Sequence, residues 1–318
     1  MSRRAPPAIL ARKLEHKAHP LPILNRPEGL GPEDLRLSRR ALGAVVFGGY
    51  AAAALATHAA PIVTDAGGLA VETTQLPVEG GAIRLYVARP DAPGPFPAVI
   101  VVNEIFGLHA YILDVCRRLA KLGYVAVAPG FFDRAGDPAP LTDFTAIRKI
   151  VAAASDAQVM GDVGAALAWL KAEPFVAADR IAITGFCWGG RVVWNACETY
   201  RDLRAGVAWY GQMAPAEGAS PDPSRQWPID HVADLRCPVL GLYGGQDPLT
   251  KAAPAMRAAL AAAGATTSQI VVYPDAGHGF HADYRESYNE ADARDAWSRM
   301  LAFFAAHGAA PRAWRAPG

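Results

Sequence analysis

The chain has 318 residues, 52% of them hydrophobic and 19% charged. That is room for one large domain or two ordinary ones, and too apolar a mixture for a disordered chain. Thirty-one Lys and Arg stand against thirty Asp and Glu, for a net charge of +1. No nucleic-acid partner is expected, because phosphate binding needs a basic excess. Four cysteines are too few for a disulfide scaffold, and none forms a C-x-x-C pair, so no metal site is expected either.

The charges are unevenly spread. Residues 1–40 hold nine basic and four acidic side chains, and Ala41–Thr64 has no charged residue at all. A basic flank, a short Ala- and Gly-rich apolar run and small residues around Ala54–Ala59 read as a signal segment. Ser38-Arg39-Arg40 ahead of it resembles a twin-arginine export signal. Residues 1–60 are therefore read as a leader, with the twin-arginine export machinery as partner and the periplasm as destination. An uncleaved membrane anchor and a cytoplasmic tail are the alternatives. Residues 61–318 are read as a single catalytic domain, expected to be a monomer.

Strands are expected at Val71–Val78 and Ala82–Ala88, around a Glu79-Gly80-Gly81 turn. The proline-rich Pro90–Pro97 is a loop. The continuous apolar runs Pro97–Val102 and Tyr124–Ala128 read as strands buried on both faces. Between them, Ile112, Val115, Leu119 and Leu122 mark a helix over Ala110–Leu122, stopped at Gly123. Pro138–Thr142 is a loop, and Ala146–Lys171 reads as one long helix. A strand at Ile181–Thr184 runs into Gly185–Gly190 and a helix to about Tyr200. Further strands fall at Ala205–Tyr210, Pro238–Tyr243 and Ser268–Tyr273, with helices at Ala252–Ala263 and Glu290–His307. The polar Met213–Asp234 reads as a loop or lid. Strands alternating with helices predict an α/β fold with a mainly parallel central sheet and helices on both faces.

The chemistry-bearing residues fall at strand ends. Gly185-Phe186-Cys187-Trp188-Gly189 has the G-x-nucleophile-x-G pattern between a strand and a helix. Its glycines allow a sharp turn that projects residue 187, and the helix N-terminus favours a thiolate there. Cys116, Cys197 and Cys237 read instead as small buried hydrophobes. Asp247 follows the Pro238–Tyr243 strand and is placed to orient an imidazole. His278, between Gly277 and Gly279, follows the next strand; His281 reads as a surface residue. The order Cys187, Asp247, His278 is nucleophile, acid, base, the order of the α/β-hydrolase fold.

Together with Asn103-Glu104-Ile105-Phe106-Gly107-Leu108, Tyr124–Pro129 and His278-Gly279-Phe280, these motifs resemble the dienelactone hydrolase family over about residues 70–306. The resemblance implies that Glu104 sits beside the thiol and takes its proton once substrate binds. A carboxyl raised in pKa by desolvation would suit that role. The oxyanion would rest on the backbone N–H groups of Trp188 and Ile105. Arg134 matches the family's arginine for a substrate carboxylate. A second family arginine, four residues after the histidine, is replaced by Ala282, and Arg285 does not align with it. Phe131, Phe132, Trp209 and Tyr210 are candidates for an aromatic substrate pocket, with Trp188 beside them. The expected activity is Cys-dependent hydrolysis of a small-molecule lactone or activated ester, with no cofactor. The alternatives are a general carboxylesterase on neutral esters, or a thiol-redox or binding protein on the same fold.

Overall fold

Every residue of the apolar run Phe96–Val102 is buried, as a strand covered on both faces requires. In the computed structural model, which describes residues 61–216, 222 and 225–315, this strand lies in a sheet of eight. The leader 1–60, with its expected export signal, lies outside the described residues. The strands are β1 (Leu69–Val78), β2 (Gly81–Pro90), β3 (Phe96–Val102), β4 (Val125–Pro129), β5 (Val176–Phe186), β6 (Leu203–Trp209), β7 (Val239–Gly244) and β8 (Gln269–Tyr273). Their order in space is β1-β2-β4-β3-β5-β6-β7-β8. The hairpin β1–β2 joins β4 antiparallel, and from β4 to β8 all neighbours are parallel. This is the α/β-hydrolase architecture, with a mostly parallel sheet.

Side chains alternate across β3. Ala98, Ile100 and Val102 face one apolar layer; Val99 and Val101 face the other. Helices α3 (Asp156–Ala172), α4 (Trp188–Thr199) and α6 (Ala253–Ala262) cover the first face, through residues such as Val163, Leu170, Trp194 and Met256. Helices α1 (Ala110–Lys121) and α7 (Glu290–Ala306) cover the second, through Ile112, Leu119, Trp297 and Phe304. Among the described residues, no helix is long and apolar enough to cross a membrane.

Two elements differ from the sequence expectation. Ala146–Lys171 is not one helix but two, α2 (Phe144–Ala153) and α3. Ala154 takes extended geometry, and Ser155 starts a new helix by accepting a hydrogen bond from the Gln158 N–H at 3.2 Å. Both segments keep helical spacing, so periodicity alone hides the break; the Ser155-Asp156 pair was its signal. The described part of Met213–Asp234 is also not all loop, since it holds the short helix α5 (Pro228–His231) and a single 3₁₀ turn, Val232–Asp234.

The Ser155 cap gives a stability prediction. Ser155→Ala should destabilise the fold by about 1 kcal/mol, the usual cost of a lost cap, and lower the urea midpoint. An unchanged midpoint would mean that packing alone sets the α2–α3 break.

Candidate active site

The site begins at the end of β5. Cys187 has φ +55° and ψ −115°, an unfavourable backbone for a residue with a Cβ. The surroundings fix it there. Its N–H donates to the Trp209 carbonyl at 3.0 Å, and its own carbonyl accepts from the Gly190 N–H at 2.9 Å. The flanking glycines are obligatory: a Cβ on Gly185 would lie 2.4 Å from the Gly189 carbonyl oxygen, and one on Gly189 would lie 2.6 Å from that of Asn103. The thiol therefore projects from the sheet edge at the first turn of α4.

Cys187 Sγ lies 3.2 Å from His278 Nε2, and His278 Nδ1 lies 2.7 Å from Asp247 Oδ2. Asp247 is nearly buried and is fixed by the loop after β7, where its Oδ1 accepts from the Leu249 N–H at 3.0 Å. The carboxylate sets Nδ1 as the donor, which leaves Nε2 facing the sulfur. Burial works against a charged imidazole here, but the contacts with Asp247 and Cys187 outweigh it and raise His278 to about 10. The Tyr210 ring, itself at φ +40°, meets His278 edge-on at 5.2 Å.

Glu104 follows β3 and is fully buried. Its Oε1 accepts from Arg285 Nη2 at 3.0 Å, its Oε2 accepts from the Tyr284 hydroxyl at 2.5 Å, and His109 Nε2 lies 3.4 Å away. The expectation of a carboxyl raised by desolvation is corrected here. Burial does push it up, but Arg285, His109 and Tyr284 together overcome that and hold it at about 2. Arg285, which does not align with the family arginine, is thus brought to Glu104 by the fold. Its guanidinium also lies over the Phe106 ring at 5.4 Å.

Sequence reasoning missed this clamp of His109, Tyr284 and Arg285. The loop that carries Tyr284 and Arg285 is anchored by Asp283, which accepts from Arg118 Nη2 at 2.5 Å inside the protein, while Arg118 Nε donates to Asp114 at 2.6 Å. His281 is not a surface residue. It is fully buried, accepts or donates at Tyr111 Oη over 2.6 Å, and stacks on Trp297.

The expected aromatic pocket also needs correction. Phe131 and Phe132 are buried and pack against the Trp188 ring, with centroids 5.9 and 4.8 Å away. Trp209 is fully buried, and its indole N–H donates to Thr184 Oγ1 at 3.0 Å. Phe131 and Phe132 belong to one apolar layer, Trp209 and Tyr210 to the other, and none of the four offers an open face to a ligand. Arg134 is engaged by Asp162 at 2.5 Å. Trp188 is the first residue of α4, and Ile105 lies in the turn after β3. Beside Asp247, Gln212, Pro215, Leu249 and Lys251 line a hollow of about 380 Å³.

A thiol on a strained strand-to-helix turn, with Asp247 and His278 brought to it from the ends of β7 and β8, is the layout of the α/β-hydrolase fold. Comparison with known proteins narrows the class. The model of the dienelactone hydrolase family matches residues 83–308. A relative from Methylorubrum extorquens, assigned the name carboxymethylenebutenolidase, is 47% identical over 252 residues, covering 78% of this chain and 85% of its own. One from Salmonella typhimurium with the same assigned name is 45% identical over 264 residues, covering 82% and 96%. A crystal structure from Klebsiella pneumoniae, assigned as a dienelactone hydrolase, has a TM-score of 0.70 at 46% identity, covering 74% and 98%. The chain belongs to the dienelactone hydrolase family and is a hydrolase.

The raised His278 fixes the sign of one pH effect. Its interaction with Asp247 contributes fully below the unfolded imidazole value of 6.5 and is lost as pH rises through about 10. The melting-temperature gap between the native chain and Asp247→Asn should therefore be widest near pH 6 and narrow steadily towards pH ~10. A gap that grows over that range would contradict the assignment.

Proposed function

We propose that the protein hydrolyses lactones or small activated esters through a thioester on Cys187, with Asp247 and His278 completing the triad. The observation that carries this reading is the unbroken chain Asp247–His278–Cys187, at 2.7 and 3.2 Å, ending on a sulfur held at a sharp turn. Sγ attacks the carbonyl carbon and its proton passes to a base. The oxyanion is held by the N–H groups of Trp188 and Ile105. Trp188 is the first residue of α4, so its N–H has no carbonyl one turn earlier to satisfy it. When the carbonyl re-forms, the C–O bond breaks and the leaving oxygen takes a proton from His278. In a lactone that oxygen stays tethered to the acyl group. Water then attacks the thioester, giving its proton to His278; the C–S bond breaks, the free acid leaves, and the sulfur takes back the proton held by the base, restoring Cys187 as a thiol.

Glu104 enters through Arg285. In the resting arrangement Arg285 holds the carboxylate, which keeps it ionised and turned to its clamp. A substrate carboxylate competing for Arg285 would release Glu104 to take the thiol proton. This makes Arg285 the arginine that couples recognition of a carboxylate to Glu104, because Arg134 is paired with Asp162 and not with Glu104.

Two measurements test the reading. Cys187→Ala should lower turnover of a dienelactone or p-nitrophenyl acetate by roughly 10³-fold or more, with a melting temperature close to native. Retained turnover would remove the thioester. Arg285→Met should raise KM for the carboxylate-bearing dienelactone about tenfold or more while leaving KM for the neutral acetate within about twofold. Equal effects on both would remove Arg285 from substrate recognition and leave only its hold on Glu104.

A further inference from the structure

Two thiols outside the active site lie together. Cys197 is in the last turn of α4, the helix that begins at Cys187, and is fully buried. Cys237 immediately precedes Pro238 and β7, and is 7% exposed. Both are thiols in the structure and belong to the same core layer. Three independent contacts bring them together. The Arg236 N–H donates to the Cys197 carbonyl at 2.8 Å. The Gly206 N–H donates to the Pro238 carbonyl at 3.0 Å. Cys197 Sγ packs on Gly206 so closely that a Cβ there would lie 2.5 Å from the sulfur. The residues on either side of Cys237 are thus bonded to the groups that surround Cys197, which sets the two thiols side by side.

We propose that Cys197 and Cys237 are a disulfide-forming pair, which links the end of the nucleophile helix to the start of β7. The oxidant is a disulfide of the small-thiol or dithiol-protein class. One thiolate attacks a sulfur of that disulfide, forming a mixed disulfide and expelling a thiolate. The second protein thiolate then attacks the protein sulfur and expels the other. Two protein S–H bonds are lost and one S–S bond forms. The two electrons reduce the oxidant to two thiols, which take up the two protons.

Burial dictates when this happens. An oxidant cannot reach either sulfur in the closed fold, so the bond forms while the chain folds. It is then sealed against reduction by the same packing. Cys187, half-exposed and paired with His278, has none of the other three cysteines beside it, so with the same oxidant it forms only a mixed disulfide that a small thiol reverses. The bond would close the segment 198–236 and restrict the unfolded chain, and so raise the melting temperature.

The test is refolding of the full chain from denaturant, in a mixed oxidised and reduced glutathione buffer and separately in dithiothreitol. Remaining thiols are alkylated under denaturing conditions, and the digested peptides are mapped by mass. The expected result is a Cys197–Cys237 linked peptide only in the glutathione sample. That sample should melt roughly 5 °C above the reduced one. Cys237→Ser and, separately, Cys197→Ala should remove both the linked peptide and the difference in melting. Alkylation of both residues in the glutathione sample would overturn the proposal, and so would links that join either of them to Cys116 or Cys187. No readout depends on hydrolysis, so the result stands apart from the proposed reaction.

Discussion

The strained backbone at Cys187 is the constraint on which the rest of the site depends. A residue with a Cβ at φ +55° persists only where its neighbours hold it there. Here they do so from three strands at once. Gly189 lies against the backbone at the end of β3, Cys187 N–H is tied to the last residue of β6, and β5 leads directly into the turn. Close approach of these backbones explains the glycines at 185 and 189 better than flexibility does. The strain sets the sulfur where the loops after β7 and β8 deliver Asp247 and His278. In the proposed reaction it also leaves the start of α4 open to the oxyanion.

A second constraint lies behind the first. Glu104 is wholly buried, a placement that ordinarily drives a carboxyl to its neutral form. One guanidinium, one hydroxyl and one imidazole reverse that outcome. The pair Glu104–Arg285 is in this sense a stored charge separation, since either partner released from the other would be costly to leave uncompensated. A ligand that brings its own negative charge to Arg285 supplies the compensation. Specificity for a carboxylate and activation of the thiol would then be two consequences of one exchange of partners.

Much of this was legible in the sequence because it rests on local signals. Apolar runs at Pro97–Val102 and Tyr124–Ala128 announced central strands, and the Gly185–Gly189 pattern announced its turn. The order of Cys187, Asp247 and His278 along the chain, each after a strand, was enough to expect their convergence. What escaped was non-local. No spacing rule links Arg285 to Glu104, because their contact depends on how the loop after His278 is anchored through Asp283 to Arg118 in α1. His281 looked like a loop residue because nothing nearby in sequence shows that Trp209 and Trp297 enclose it. The aromatic residues misled for the opposite reason. Phe131, Phe132 and Trp209 lie close to site residues along the chain, yet their rings point into the layers that support those residues.

The most direct measurement is the site of acylation. The full chain would be mixed with excess p-nitrophenyl acetate, quenched in acid within the first turnovers, and digested for peptide mass mapping. The acetyl group is predicted on the peptide containing Cys187, as a thioester that hydroxylamine removes. An acetyl group on any other residue that accumulates and decays at the rate of turnover would contradict the assignment of Cys187 as nucleophile.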